Sequence, residues 1–103
     1  MIDLVRKNKQ QIAALCEQFK VTQLEIFGSG VTGEFDPDSS DLDFIVAFDA
    51  PEAPPGLLSR YLALAEALER LLGKPVDLIT QPSIRNPYFR KAVDDTREAV
   101  YAA

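Results

Sequence analysis

Apolar residues recur along this chain at two spacings, and the change from one to the other marks out its elements. Val5, Ile12, Leu15, Cys16 and Phe19 share one face at helical spacing, with Asp3 available as an N-cap, which predicts an amphipathic helix over residues 3–19. "VTQLEIFG" then mixes β-branched and apolar residues and stops at a glycine, the pattern of a short strand from about Val21 to Phe27. In "DLDFIVAF" the alternation is clearer: Leu42, Phe44, Val46 and Phe48 face one way, and Asp41, Asp43, Ile45 and Ala47 the other. Apolar residues on both faces predict a central position in the sheet.

The three prolines of "APEAPPG" predict a loop, after which Leu57, Tyr61, Leu64, Leu68 and Leu71 mark a second helix that Gly73 and Pro75 end. "PVDLIT" predicts a third strand with Asp77 and Ile79 on one face and Val76 and Leu78 on the other. In "NPYFRKAVDDTREAVYAA" Asn86 can cap a closing helix, Pro87 suits its first position, and Phe89, Val93 and Val100 supply an apolar stripe. The order α-β-turn-β-α-β-α predicts an α/β (α+β) layer in which helices flank a small sheet. No repeat or linker interrupts the 103 residues, so a single domain over residues 1–103 is expected.

Composition narrows the chemistry. Hydrophobic residues make up 47% and charged residues 26%, which is globular rather than disordered. No apolar run reaches the length of a membrane span and the N-terminal stretch lacks a secretory signal's apolar block, so a soluble cytoplasmic protein is expected. With one cysteine, Cys16, and no histidine, the chain cannot build a disulfide, a cysteine zinc cluster or a Ser-His-Asp triad by itself. Carboxylates remain as the reactive groups. The net charge of −5 disfavours direct binding to nucleic acid through phosphate contacts. Its distribution is uneven: from Val21 to Ser59 there are eight acids and no Lys or Arg.

Two of those acids, Asp41 and Asp43, stand two apart on a strand and so project from one face about 6 Å from each other, given a rise of about 3.3 Å per residue. At an effective dielectric of about 20 their repulsion is on the order of 3 kcal/mol, which calls for an offsetting charge. Mg²⁺ supplies one: it is a hard ion that takes one or two carboxylates and completes its shell with water and phosphate oxygens. The preceding turn, "GSG", directly follows a strand; a helical turn starting near Ser29 would present free N–H groups and a hydroxyl to a phosphate. Gly33 allows a second bend before "DPDSS". Asp77 can join the same site if its strand lies beside residues 41–48. Singly, a glycine turn is often just a turn, an Asp-x-Asp can be turn chemistry or edge protection, and a strand Asp can be solvated. Only the combination points to a metal–nucleotide site.

In that combination, "FGSGVTGEFDPDSSDLDFIV" followed by "PVDLI", the chain resembles the minimal nucleotidyltransferases of the DNA polymerase beta-like superfamily. The resemblance rests on Gly28, Ser29, Gly33, Asp41, Asp43 and Asp77, and extends to "NPYFRKAVDDTREAVY", which looks like the family's closing helix. It implies the nucleotidyltransferase fold, a small mixed sheet flanked by helices, and transfer of a nucleoside monophosphate, most often AMP from ATP, to a hydroxyl. Carried over by position, Gly28, Ser29 and Gly33 would hold the triphosphate. Asp41, Asp43 and Asp77 would be the catalytic residues and the ligands of two Mg²⁺ ions. Two departures stand out: eleven residues separate Ser29 from Asp41 where the family usually has ten, and the turn carries no basic residue. Positive charge would come from the metal, from Arg60, Arg85 or Arg90, or from a partner chain.

Larger members of that family hold their acceptor in an added domain, which 103 residues are not expected to supply. The resemblance therefore implies a partner, a small all-helical HEPN protein of toxin type, whose tyrosine receives AMP and which is thereby silenced. In that reading the chain is the antitoxin, in a hetero-oligomer or as a homodimer. The alternative is a catalytically silent module of the same fold that neutralises its HEPN partner by contact alone.

Overall fold

The structure, a computed structural model, describes residues 1–32, 41–50, 52, 54, 56–80 and 85–103. The opening amphipathic segment forms two helices, α1 (Asp3–Arg6) and α2 (Lys9–Gln18), where the periodicity predicts one over residues 3–19. Asn8 causes the break. Its side-chain Nδ2 donates to the Leu4 carbonyl at 2.7 Å, the acceptor its own backbone N–H would use in an unbroken helix, and that N–H turns instead to Val5 O at 3.1 Å. Asp3 is not the N-cap either: Ile2 occupies that position without a side-chain bond, and Asp3 sits in the first turn, paired with Arg6 at 2.9 Å. The buried stripe survives the break, because Val5, Ile12 and Cys16 are all fully covered.

The central strands follow their alternation. β1 (Val21–Phe27) runs antiparallel to β2 (Leu42–Phe48), and β2 runs parallel to β3 (Val76–Thr80). A one-turn helix, α3 (Ser29–Thr32), follows β1, and α4 (Leu57–Leu72) crosses from β2 to β3. α4 stops at Gly73, whose φ of 68° suits a residue without a Cβ and whose N–H closes on Glu69 O at 2.8 Å. One face of the sheet buries Leu24, Ile26, Leu42, Phe44, Val46 and Leu78 in a core shared with the stripes of α2 and α4. The other face carries a smaller cluster of Phe27, Ile45 and Val93, with Ile79 against it.

The closing segment departs from expectation. Helix α5 (Pro87–Thr96) begins as predicted, with the Asn86 side chain accepting from the N–H groups of Tyr88 and Phe89 and Pro87 in the first turn. It ends ten residues later, and Glu98–Ala102 is a fourth strand, β4, antiparallel to β1. The observed sheet order is β3-β2-β1-β4, so the predicted α-β-turn-β-α-β-α gains a final strand, and the stretch resembling a closing helix is a helix followed by a strand. Val100 is buried as a strand residue, not as part of a helical stripe. β1 would otherwise have an unpaired edge, and β4 satisfies it. No helix among the described residues is long and apolar enough to cross a membrane.

Candidate functional site

Three strands end together, and their register decides what meets there. Phe27, last in β1, pairs with Asp43, and Asp43 pairs with Asp77 across the parallel β2–β3 ladder. Facing residues on adjacent strands project to the same side, about 4.8 Å apart at the backbone. The strand pairing on which Asp77's position depends is thus present. Asp41 precedes β2 by one residue and is exposed, Asp77 is exposed on the edge strand, and Asp43 between them is half-buried. Burial, then the charge of Asp77, then that of Asp41, push the Asp43 carboxyl up to about 6 from its ordinary 3.8. Among the described residues no three Asp, Glu, Cys or His side chains are drawn into a ready-made metal cage. The site offers carboxylates with an unrelieved charge excess.

The glycine turn lies against Asp43. Gly28 has φ +69°, and a Cβ placed on it would stand 3.2 Å from Asp43 Oδ2. Any side chain there would be strained by the backbone and would press on that carboxylate. The Gly28 carbonyl accepts from the N–H groups of Val31 at 3.0 Å and Thr32 at 3.2 Å, which starts the helical turn expected near Ser29. Gly30 is buried for a different reason: a Cβ would meet Ile26 Cδ1 at 2.5 Å. Its carbonyl accepts from the Ile2 N–H at 2.8 Å. Gly33 lies outside the described residues, as do Glu34, Asp36 and Asp38 and most of the interval between Ser29 and Asp41.

Arg60, one of the bases considered for the missing positive charge, is not available to a ligand. It is 2% exposed, and its guanidinium donates to the carbonyls of Asp49 and Ala50, both at 2.7 Å, and of Phe19 at 3.4 Å, over the Phe48 ring. Its Nε is a buried donor without a partner. Arg85 and Arg90 are exposed before and on α5, with Arg90 3.8 Å from Asp94. Cys16 is buried in the main core and its thiol is pushed up to about 12, by burial first and by Glu17 second, so it is no nucleophile.

Two groups that sequence reasoning missed connect α5 to this corner. Thr96 Oγ1 accepts the Gly28 N–H at 2.9 Å, and Arg97 binds the Glu25 carboxylate through two bonds of 2.9 and 2.7 Å. Neither partner is near in the chain, and no spacing rule would have linked them. Phe89 meets Phe27 edge to face, centroids 6.0 Å apart, so α5 covers the sheet face that bears Asp43.

Comparison with known proteins bears on the family and the fold. The nucleotidyltransferase domain model matches residues 9–100. A protein of Methanocaldococcus jannaschii described as a protein adenylyltransferase is 41% identical over 93 residues, which is 90% of this chain and 87% of that one. A solved structure described as a minimal nucleotidyltransferase superposes with a TM-score of 0.72 at 31% identity, covering 94% of this chain and 95% of the other. The same fold, at 20% identity and a TM-score of 0.62, occurs in a solved complex of a tri-AMPylated Shewanella oneidensis HEPN toxin with an MNT antitoxin; the match covers 96% of this chain and 73% of that one.

Proposed function

The chain belongs to the nucleotidyltransferase domain family, and from that premise we propose that it transfers AMP from ATP to a tyrosine hydroxyl of a HEPN-type partner, acting as the antitoxin of the pair. The observation that carries this reading is the coincidence of two features at one corner: Gly28, which has no side chain, and the Asp43 carboxylate beside it, which pairs across the ladder with Asp77. The named activity of the adenylyltransferase relative supports the reaction, and the AMPylated toxin held by the structural neighbour supports a HEPN protein as the acceptor.

In this reading Asp41 and Asp43 hold magnesium, with Asp77 sharing it. The donor set fits the ion, since Mg²⁺ needs only one or two carboxylates and Asp43 carries a charge excess that a dication relieves. When bound, magnesium neutralises the triphosphate and polarises the α-phosphoryl group. Gly28 leaves room for the triphosphate beside Ser29. Asp77 assists removal of the proton from the attacking hydroxyl, whose oxygen bonds to the α-phosphorus as the bond to the bridging oxygen breaks and pyrophosphate leaves. The cell compartment is then the cytoplasm, where ATP is plentiful.

Calorimetric titration with Mg-ATP tests the site: binding is expected in the natural chain and its loss in Asp41→Asn with Asp43→Asn. Intact-mass analysis of a HEPN partner incubated with the chain and Mg-ATP should show one or more added AMP groups. No mass change with a verified partner overturns the transfer. A second reading, neutralisation by contact alone, is favoured by the commitment of Arg60 to backbone carbonyls, which removes one source of positive charge for the triphosphate. A pure binder would be indifferent to nucleotide in the same titration.

A further inference from the structure

One hydroxyl joins α5 to the glycine turn. Thr96 is the last residue of α5, and its Oγ1 lies 3.0 Å from the Ala92 carbonyl of its own helix and 2.9 Å from the Gly28 nitrogen, 68 residues away in sequence. A hydroxyl has one proton to give. It goes to a carbonyl, which cannot donate, so the oxygen is left to accept from Gly28. The direction of both bonds is therefore determined by the chemistry of the partners.

The tether acts on a residue with no side chain of its own to hold it. Glycine at φ +69° has no Cβ to limit rotation, and a small turn of its peptide would change the distance to Asp43 Oδ2, which lies only 3.2 Å from where a Cβ would stand. Thr96 is itself firmly placed. The next residue, Arg97, binds Glu25 on β1 through two bonds and closes its own N–H on Val93 O at 2.8 Å, while Val93 is fully buried against Phe27 and Ile45. The Ile2 N–H on Gly30 O holds the far side of the same turn.

We propose that Thr96 is a positioning residue: its hydroxyl fixes the Gly28 peptide against Asp43, and nucleotide affinity depends on that bond although Thr96 touches no nucleotide. The proposal rests on the reading of Gly28 and Ser29 as the triphosphate cradle. A purely structural role would lower stability without changing the affinity of the molecules that remain folded.

The test compares Thr96→Val, which keeps the shape and removes the acceptor, with Thr96→Ser, which keeps the hydroxyl. Mg-ATP affinity is measured by calorimetry on the whole chain, well below the melting temperature of each variant. Thr96→Val is expected to bind about tenfold more weakly, roughly the net worth of one hydrogen bond, and Thr96→Ser within about twofold of the natural chain. Equal affinity in Thr96→Val, or an equal loss in both variants, overturns the proposal. With Asp41→Asn and Asp43→Asn as the reference, unchanged binding in Thr96→Val alongside loss in the reference refutes this inference alone, whereas a natural chain that ignores Mg-ATP refutes the site as well. Amide exchange in the natural chain adds a measurement independent of whether any variant folds: the Gly28 N–H is expected to exchange slowly, and exchange as fast as at an exposed loop amide overturns the tether.

Discussion

Asp43→Asn is expected to stabilise the metal-free chain at neutral pH. The folded carboxyl titrates at about 6 against an ordinary 3.8, because burial and then the charges of Asp77 and Asp41 disfavour its ionised form. Folding therefore favours the protonated side chain. Below about pH 4 the carboxyl is protonated in both states and stability is undiminished. Between the two values the unfolded chain ionises first, so stability falls as pH rises, and above the folded value of about 6 the full cost is present. A difference of about two pKa values corresponds to roughly 3 kcal/mol at most. Asp43 is only half-buried, and solvent screening reduces this to about 1–2 kcal/mol. For a domain of this size that is a rise of roughly 5–10 °C in melting temperature. Circular-dichroism melts of both proteins in EDTA at pH 8, 6 and 4 check it: the asparagine variant should lead at pH 8 and the two should converge at pH 4. Added Mg²⁺ should raise the natural chain and leave the variant in place. A variant no more stable at pH 8, or a lead that does not change with pH, would refute the electrostatic reasoning.

Gly30→Ala should lower the urea midpoint by the equivalent of about 1–3 kcal/mol, the usual cost of overpacking. Its methyl would meet Ile26 Cδ1 at 2.5 Å and Cγ1 at 3.0 Å in a side chain that is fully buried, and an unchanged midpoint would mean that the turn can move freely. Arg97→Ala should cost roughly 2–4 kcal/mol, because it strands the Glu25 carboxylate, whose residue is only 8% exposed. Pairing Arg97→Met with Glu25→Leu should recover most of that loss in the same denaturation assay, and failure to recover would assign the loss to the other contacts of Arg97, its 2.8 Å bond to Asp94 among them, and not to the buried pair.

Local pattern and tertiary context contributed differently to this fold. β1 was legible because β-branched and apolar residues run up to Gly28, β2 and β3 because each has two distinct faces and is bounded by proline or aspartate, and α4 because its stripe ends at Gly73. β4 was not: Val93 and Val100 are seven residues apart, a spacing that continues a helical stripe, and no glycine or proline separates α5 from the strand. What turns the chain at Arg97 is non-local, the open edge of β1 and the Glu25 carboxylate upon it. Asn8 split the first helix through a side-chain bond that periodicity does not register. The candidate site divides the same way. Its carboxylates and glycines were visible because strand period and turn chemistry are local, whereas the hydroxyl that holds Gly28 arrives from 68 residues away. The acidic middle of the chain was also misleading when read alone. Glu25, in a stretch without a single base, is neutralised by Arg97, while Asp43 meets only further carboxylates among the groups that set its titration. Charge that folding leaves uncompensated at Asp43, next to charge that it compensates at Glu25 on the same sheet face, separates the carboxylate proposed to take a cation from the one that serves the fold.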